Sequence, residues 1–563
     1  MLLGISESIS KRKKESALIM RKQTKLVAVL STAALLAVGA SMSSFAATGW
    51  QEENGSWVYY DKSGDLETEK WEKSGDNWFY LNEDGEMATD VIVEYKDNFY
   101  YVDENGAMTT NKWVSIENED YDGEDEPASY WYYFGSNGKA YTGSSEKASF
   151  KTINGKKYTF DEDGRMQYGW LDENGKRNTA DDAWKTADYY CGDENDGSQS
   201  LGWKFLEITD EDYDAGDDIA NWSSDNVFDD EDQTRYFYFK ANGKKVVDKD
   251  GETINGAKYS FDAYGRMNAE WVTKKGATPT EASASDWRYF RSPEDGARVT
   301  KGWFKVVPDE KLHDEDYEDD SESWFYADGK GSIYAGKIKE INGKRYAFDE
   351  NGRMKSGFRL IKLGETSSDI AVIRGLDGKI DDDADKTLVD TEDDFLNNIN
   401  DWLKAGYKLY NFGGGDDGSM KTGKQTLSLD GDNFTFNFAK SGASRGAGKN
   451  GIDNDKVYQG GMLLKADKDE KYAVVKIETV DGKDYYTLLD SETFIRDYTK
   501  DADTLAKDEE VAYVIDSAKA DGADFKLINT SGAIQSSKTS AKDGEDNIYK
   551  VKSEKIERVY IKK

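Results

Sequence analysis

Chemistry that needs an imidazole or a thiol has one of each to draw on, His313 and Cys191. A Ser-His-Asp or Cys-His catalytic arrangement, a zinc site and an intramolecular disulfide framework all require more. Cys191 follows Asp188-Tyr189-Tyr190 in a strand-like segment and reads as a small packed residue, whereas His313, inside an acidic loop, is expected at the surface. Carboxylates present the opposite case. With 111 Asp and Glu in the chain, no pair of them singles out a glycosidase. Asn118-x-Asp120-x-Asp122-Gly123 matches the start of an EF-hand calcium loop, but position twelve is Ser129 where that loop uses Glu; Asp381, Asp383 and Asp385 alternate without the Gly. The expectation is a non-enzymatic chain with no cofactor and no metal.

Aromatic rings remain, and they recur in order. Trp50, Trp71, Ile92 and Trp113 are 21 residues apart, as are Trp57, Trp78 and Phe99, then Tyr59, Tyr80 and Tyr101, then Gly64, Gly85 and Gly106. Four registers in phase mark an internal repeat. In Trp57-Val58-Tyr59-Tyr60 and Trp78-Phe79-Tyr80-Leu81 the ring positions two apart share a strand face, so each unit reads as a β-hairpin. The Asp/Asn-x-x-Gly that follows, as in Asp61 to Gly64 and Asp103 to Gly106, suits a short hairpin loop whose Gly takes a positive φ. A lone hairpin is marginal in water, so the units must stack and share their rings.

That architecture resolves an odd composition. The 563 residues carry a formal charge of −36, only 37% hydrophobic residues and a mean hydropathy of −0.84, values that lean toward disorder. Yet there are 15 Trp, 35 Tyr and 23 Phe. Each ring buries about 150–250 Å², so a few per unit supply a core spread along a stack.

Beyond Trp113 the units lengthen and alternate long with short, opening at Trp113, Trp170, Trp203, Trp271, Trp303 and Phe358. Three copies of Asn-Gly-x-Lys/Arg-Tyr-x-Phe-Asp begin at Asn154, Asn255 and Asn342, with Gly164-Arg165-Met166, Gly265-Arg266-Met267 and Gly352-Arg353-Met354 after them. Every long unit carries an acidic insertion at one place: Glu119-Asp120-Tyr121-Asp122, Glu211-Asp212-Tyr213-Asp214 and Glu315-Asp316-Tyr317-Glu318. The division expected is a leader over 1–46, short repeats over 47–112, composite repeats over 113–358, a connector over 359–410 with a helix at 392–405, and a divergent β-rich, repeat-like region over 411–563. Thr391 to Asp394 reads as the capping box of that helix, with Phe395, Ile399, Trp402 and Leu403 on one face. The fold class is therefore all-β: a solenoid-like stack of aromatic-rich hairpins, a divergent β-rich end and one short amphipathic helix.

Residues 26–40 form an apolar run preceded by Arg21, Lys22 and Lys25 and followed by Ser44-Phe45-Ala46, the pattern of a secretory signal peptide, with Met1 or Met20 as its start. Its removal takes the charge from −36 to −41, since residues 1–46 hold seven basic and two acidic residues. No later stretch is apolar enough to span a bilayer. Nucleic acid is not an expected partner of so acidic a surface.

Gly49-Trp50-x6-Trp57-x-Tyr59-Tyr60-Asp61-x-x-Gly64 and Trp71-x6-Trp78-Phe79-Tyr80 resemble choline-binding repeats, the cell-wall-binding modules of Gram-positive surface proteins. The Asn-Gly-Lys-Lys-Tyr-x-Phe-Asp units are similar to the related repeats of glucan-binding proteins. The resemblance spans about residues 49–358. It implies a superhelical stack of hairpins with ligand grooves between successive units, in which rings enclose a trimethylammonium head. A quaternary ammonium has no N–H to donate, so the negative π-face provides the attraction, about 0.5–2 kcal/mol per ring. Carried across, Trp50, Trp57, Trp71, Trp78 and Tyr80 become the ligand-binding candidates. The third unit departs, with Ile92 and Phe99 at the Trp positions. The implied partner is choline on cell-wall teichoic acid, or a wall polysaccharide, and the implied location is extracellular and wall-associated. Two other readings stay open: an extracellular glucan-binding protein, and a structural or adhesive spacer presenting its acidic loops to a host or surface protein.

Overall fold

The computed structural model describes residues 48–563 apart from 122, 124–125, 209–232, 377–390 and 430. The chain opens with a run of two-stranded antiparallel hairpins, made by β1 (Gly49–Glu53) with β2 (Ser56–Tyr60), β3 (Lys70–Ser74) with β4 (Asn77–Leu81), β5 (Val91–Glu94) with β6 (Phe99–Val102), and β7 (Lys112–Glu117) with β8 (Ser129–Phe134). The 21-residue register appears directly in the pairing: Trp50 faces Tyr59, Trp71 faces Tyr80, Ile92 faces Tyr101 and Trp113 faces Tyr133.

Two turns of different kinds build each unit. Asn54-Gly55 closes the first hairpin with φ of 53° and 90°, the left-handed pair that a type I′ turn needs and that Asn-Gly accepts. Asn154-Gly155, Asn255-Gly256 and Asn342-Gly343 repeat it. The Asp/Asn-x-x-Gly sequence does another job than closing the hairpin. It folds the chain back after the second strand, so that Tyr60, Leu81 and Val102 bridge to Leu66, Met87 and Met108. Asp61 Oδ1 accepts from the N–H groups of Ser63 and Asp65 at 2.7 and 2.9 Å, and Asn82 and Asp103 do the same.

This second turn also couples one hairpin to the next. Met87 N–H donates to the Trp57 carbonyl at 2.7 Å, and Met108 N–H to that of Trp78 at 2.8 Å. The turn glycine rests on the side chain of the preceding turn: a Cβ on Gly106 would lie 2.8 Å from the Met87 thioether. Glycine at that place meets two demands, a φ of 77° and a close approach.

By their contacts the described residues form two compact units, one of 48–208, 233–247 and 264–266, the other of 248–263 and 267–563. The first is hairpins throughout, with a helical turn at Ala183–Thr186. The second begins as hairpins and then changes character. From Phe358 on, sheets of three and five strands replace them. Phe395, Ile399, Leu360, Leu409 and Phe436 form one buried cluster, and Val474, Phe494, Leu527, Tyr549 and Val559 another. The divergent end is thus β-rich with larger mixed cores, and repeat-type turns persist in it at Asn529 and Asp543.

The helix Glu392–Lys404 forms as its pattern predicts. Thr391 Oγ1 accepts from Asp394 N–H at 3.2 Å and donates to its carboxylate at 2.8 Å, while Phe395 and Ile399 are fully buried. Further short helices occur at Asp314–Glu318, Ser491–Tyr498 and Ser517–Ala520. Among the described residues no helix is long and apolar enough to cross a membrane.

Candidate functional site

Six of the opening tryptophans, Trp50, Trp71, Trp113, Trp170, Trp271 and Trp303, act alike along the chain. Each packs edge-on or tilted against the tyrosine opposite it in its own hairpin, and against one or two rings of the next. Trp50 meets Tyr59 and Phe79, both at 5.4 Å between centroids; Trp71 meets Tyr80 and Tyr100, both at 5.2 Å. Trp113 takes Tyr133 and Tyr158, and Trp170 takes Tyr190 and Phe237. In the second unit Trp271 takes Tyr289 and Phe325, and Trp303 takes Tyr326 and Tyr346. Strand alternation explains the geometry. Trp50, Tyr59 and Trp57 project from one face of their hairpin, whereas Phe79 projects from the opposite face of the next one, so rings interleave between layers.

The five sequence candidates therefore divide by role. Trp50 and Trp71 are half-buried in this ladder, and their indole N–H groups are buried without an acceptor; it is the ring faces and edges that are used. Tyr80 lies between Trp71 and Tyr95, 6.0 Å from the latter. Burial, and Glu69 beside it, push its phenol pKa up. Trp57 and Trp78 sit one pleat nearer the hairpin tips, opposite Glu52 and Lys73, and Trp78 is 43% exposed. The structure brings Trp50 with Trp57 onto one hairpin face and Trp71 with Trp78 and Tyr80 onto the next. Trp57 and Trp78 are the rings left at the rim, able to offer a face to a cation or to a sugar.

Phe79, Tyr95 and Tyr100 were not among the sequence candidates, although they complete these clusters. Phe79 and Tyr100 lie on the strand face away from the Trp/Tyr series, so only an explicit layer-to-layer register reveals them. Tyr95 sits beside the two-residue turn Lys96-Asp97, and Lys96 Nζ lies 4.8 Å from its ring centroid.

His313 corrects the expectation of a surface residue. It is 5% exposed, because its Nδ1 accepts the Asp316 N–H at 3.1 Å and caps the helical turn that follows. That turn holds the third acidic insertion, and Asp316 in it pairs with Arg353 at 3.0 Å. The second insertion, with Asp122, Asp381, Asp383 and Asp385, lies outside the described residues. Among the described residues no group of three or more His, Cys, Asp and Glu is placed to hold a metal. Cys191 is fully buried, as expected.

Comparison with known proteins places the matches on these same hairpins. Residues 68–113 match the choline-binding repeat family, and residues 48–66 and 149–166 match the cell wall binding repeat family. No curated protein sequence matches the chain. Solved structures similar to it include the modular autolysin LytC from Streptococcus pneumoniae, at 18% identity over 56% of this chain with a TM-score of 0.29. The chain spans 56% of the length of LytC. CbpJ from Streptococcus pneumoniae TIGR4 is 18% identical over 55% of this chain and 100% of its own, with a TM-score of 0.21. The choline binding domain of Spr1274 in Streptococcus pneumoniae is 28% identical over 17% of this chain and 95% of its own, with a TM-score of 0.13. The hairpin that presents Trp50 and Trp57 thus matches a cell wall binding repeat, and the one that presents Trp71 and Trp78 a choline-binding repeat.

Proposed function

We propose that this chain is a secreted, non-enzymatic protein that holds the bacterial cell wall noncovalently, its rim rings taking choline-type groups on teichoic acid. The observation that carries this reading is the pair of layers at residues 48–113, where family-matched repeats leave Trp57 and Trp78 at the rim while Trp50 and Trp71 fix the hairpins behind them. Glu52 directly opposite Trp57 adds a negative charge beside that ring, favourable to a cationic head at short range though screened by salt beyond about 8–10 Å. A single ring face gives little affinity; several rims engaging one polymer multiply it. Secretion rests on the leader-like residues 1–46, which lie outside the described residues.

Pulldown with purified Gram-positive walls, with and without choline on their teichoic acid, tests the reading. Retention by choline-bearing walls alone supports it. Equal retention by both would move the ligand to a wall polysaccharide, and retention by an α-glucan in preference to either would establish the glucan reading.

A further inference from the structure

The hydrogen bond that couples one layer to the next also marks which residues are equivalent between units. It ends on the carbonyl of Trp57, Trp78, Phe99 and Trp131 in the early hairpins, and on that of Asp188 in the short hairpin of Trp170. In the three Asn-Gly-x-Lys/Arg-Tyr hairpins it ends on Lys157, Lys258 and Arg345, accepting from Gln199, Arg298 and Met420 at 2.8, 2.8 and 2.7 Å. The place that holds a ring in the short repeats thus holds a cation in these three. A ring face there attracts a cation, whereas an ammonium or guanidinium attracts an anion.

Around Lys258 this change of sign has a cavity to act in. Lys258 is exposed and has no ion-pair partner among the described residues. With Arg291 and Arg298 it lines a cleft of about 610 Å³, and among the described residues no carboxylate lines it, in a chain of net charge −36. Arg298, whose N–H makes the bond to the Lys258 carbonyl, is a fixed charge: Nη2 donates to Asp250 and Nη1 to the Lys330 carbonyl at 3.3 Å, and the side chain is 7% exposed. Arg291 gives Nη1 to Asp295 at 2.9 Å in an exposed pair. The carboxylates that hold the two arginines stand outside the lining. Tyr289 and Phe304 supply an apolar wall, their rings stacked at 5.0 Å and 13°. Burial, and Glu270 beside it, push the Tyr289 phenol up to about 12, so its hydroxyl keeps its proton and can donate.

We infer that this cleft binds a phosphate group carried on a sugar or polyol, the phosphate taken by the Lys258 ammonium beside Arg291 and Arg298 and the carbon skeleton packed on Tyr289 and Phe304. Lysine meets a phosphate oxygen as a point charge, and three cations facing no carboxylate favour a doubly charged anion over a single carboxylate. Stacked rings with a few convergent polar groups are the composition of a small-molecule site. The site is separate from Trp57 and Trp78 and does not depend on their ligand.

Calorimetric titration of the full chain tests it, with glucose 6-phosphate and glycerol 1-phosphate as probes, glucose as the phosphate-free control and glucuronate as the carboxylate control. The expected result is millimolar or tighter binding of a phosphate probe and at least tenfold weaker binding of glucose and of glucuronate. The tighter of the two phosphate probes identifies whether the carrier is a sugar or a polyol, and either supports the site. Lys258→Gln weakens the binding at least tenfold with an unchanged melting curve and Lys258→Arg retains it, whereas paired Trp57→Ala and Trp78→Ala leave it intact. No heat from either phosphate probe up to about 10 mM overturns the inference, as does glucuronate binding as tightly as the phosphate probes. Undiminished binding by Lys258→Gln also overturns it, as does an equal loss in Lys555→Gln, an exposed lysine outside the cleft.

Discussion

Replacing Trp71 by alanine removes a ring that two layers share. The indole touches Tyr80 in its own hairpin and Tyr100 in the next, each at 5.2 Å. Aromatic pairs contribute about 0.5–1.5 kcal/mol each beyond area burial, and a half-buried indole adds about 1–2 kcal/mol of transfer energy. The loss comes to about 3 kcal/mol, toward the low end for Trp→Ala because the ring is not fully enclosed. In a stack whose units touch only their neighbours, that loss falls on the two layers that meet at Trp71. Native-state hydrogen exchange reads it locally. Amide protection in β3–β4 and β5–β6 should drop by about two decades, at 1.4 kcal/mol per decade, while the sheets beyond residue 423 keep theirs. Trp78→Ala, at an exposed position, should change protection less than threefold. Protection within threefold of the parent in Trp71→Ala, or an equal drop in Trp78→Ala, would refute the division between ladder and rim.

Three other outcomes follow from the packing. Gly106→Ala places a Cβ 2.8 Å from the Met87 thioether at a φ of 77° and should cost about 1–3 kcal/mol, partly recovered when Met87→Ala is added; an unchanged urea midpoint would contradict the layer contact. Burial pushes the Cys191 thiol up to about 12, so its contribution to stability is whole below the unfolded thiol's pKa of about 8.5 and is lost as pH rises toward 12. Ellman's reagent should accordingly label no thiol in the native chain at pH 8 and one after denaturation, and the alkaline loss of stability should shrink in Cys191→Ala. Asp316→Asn removes the Arg353 Nη1 partner and should lower stability by about 1–3 kcal/mol, with a urea midpoint shift no greater than that of the exposed Asp319→Asn counting against the pair.

Legibility from sequence followed the range of the interactions involved. The hairpin unit and its period were readable because a fixed 21-residue step and a two-residue alternation are local, whereas the pairing of Trp50 with Tyr59 and of Trp71 with Tyr80 depends on where the turn falls. The hairpin turn was misassigned to Asp/Asn-x-x-Gly, because that spacing also carries a positive-φ glycine; Asn54-Gly55 closes the hairpin instead, and Asp61 to Gly64 folds the chain back after it. Phe79 and Tyr100 were harder to assign, since a strand with rings on both faces does not state which face meets the next layer. His313 was misplaced because its acidic neighbours mark a surface, while its burial depends on capping one helical turn. Past residue 411 the sheets pair out of chain order, as where the strand at 432–438 lies beside that at 462–463, and no local pattern encodes such a choice. The rim position of Trp57 and Trp78 emerged only when the ladder was known, because all the tryptophans look alike along the chain.

In the proposed function the rim rings of the N-terminal repeats engage choline-type groups. Retention on a choline-substituted resin measures this most directly, comparing the chain with a variant carrying Trp57→Ala and Trp78→Ala together. The parent should be retained and released by free choline, and the double variant should elute early with its fold unchanged by circular dichroism. Retention that free choline does not release, or retention that survives the loss of both rims, would contradict it.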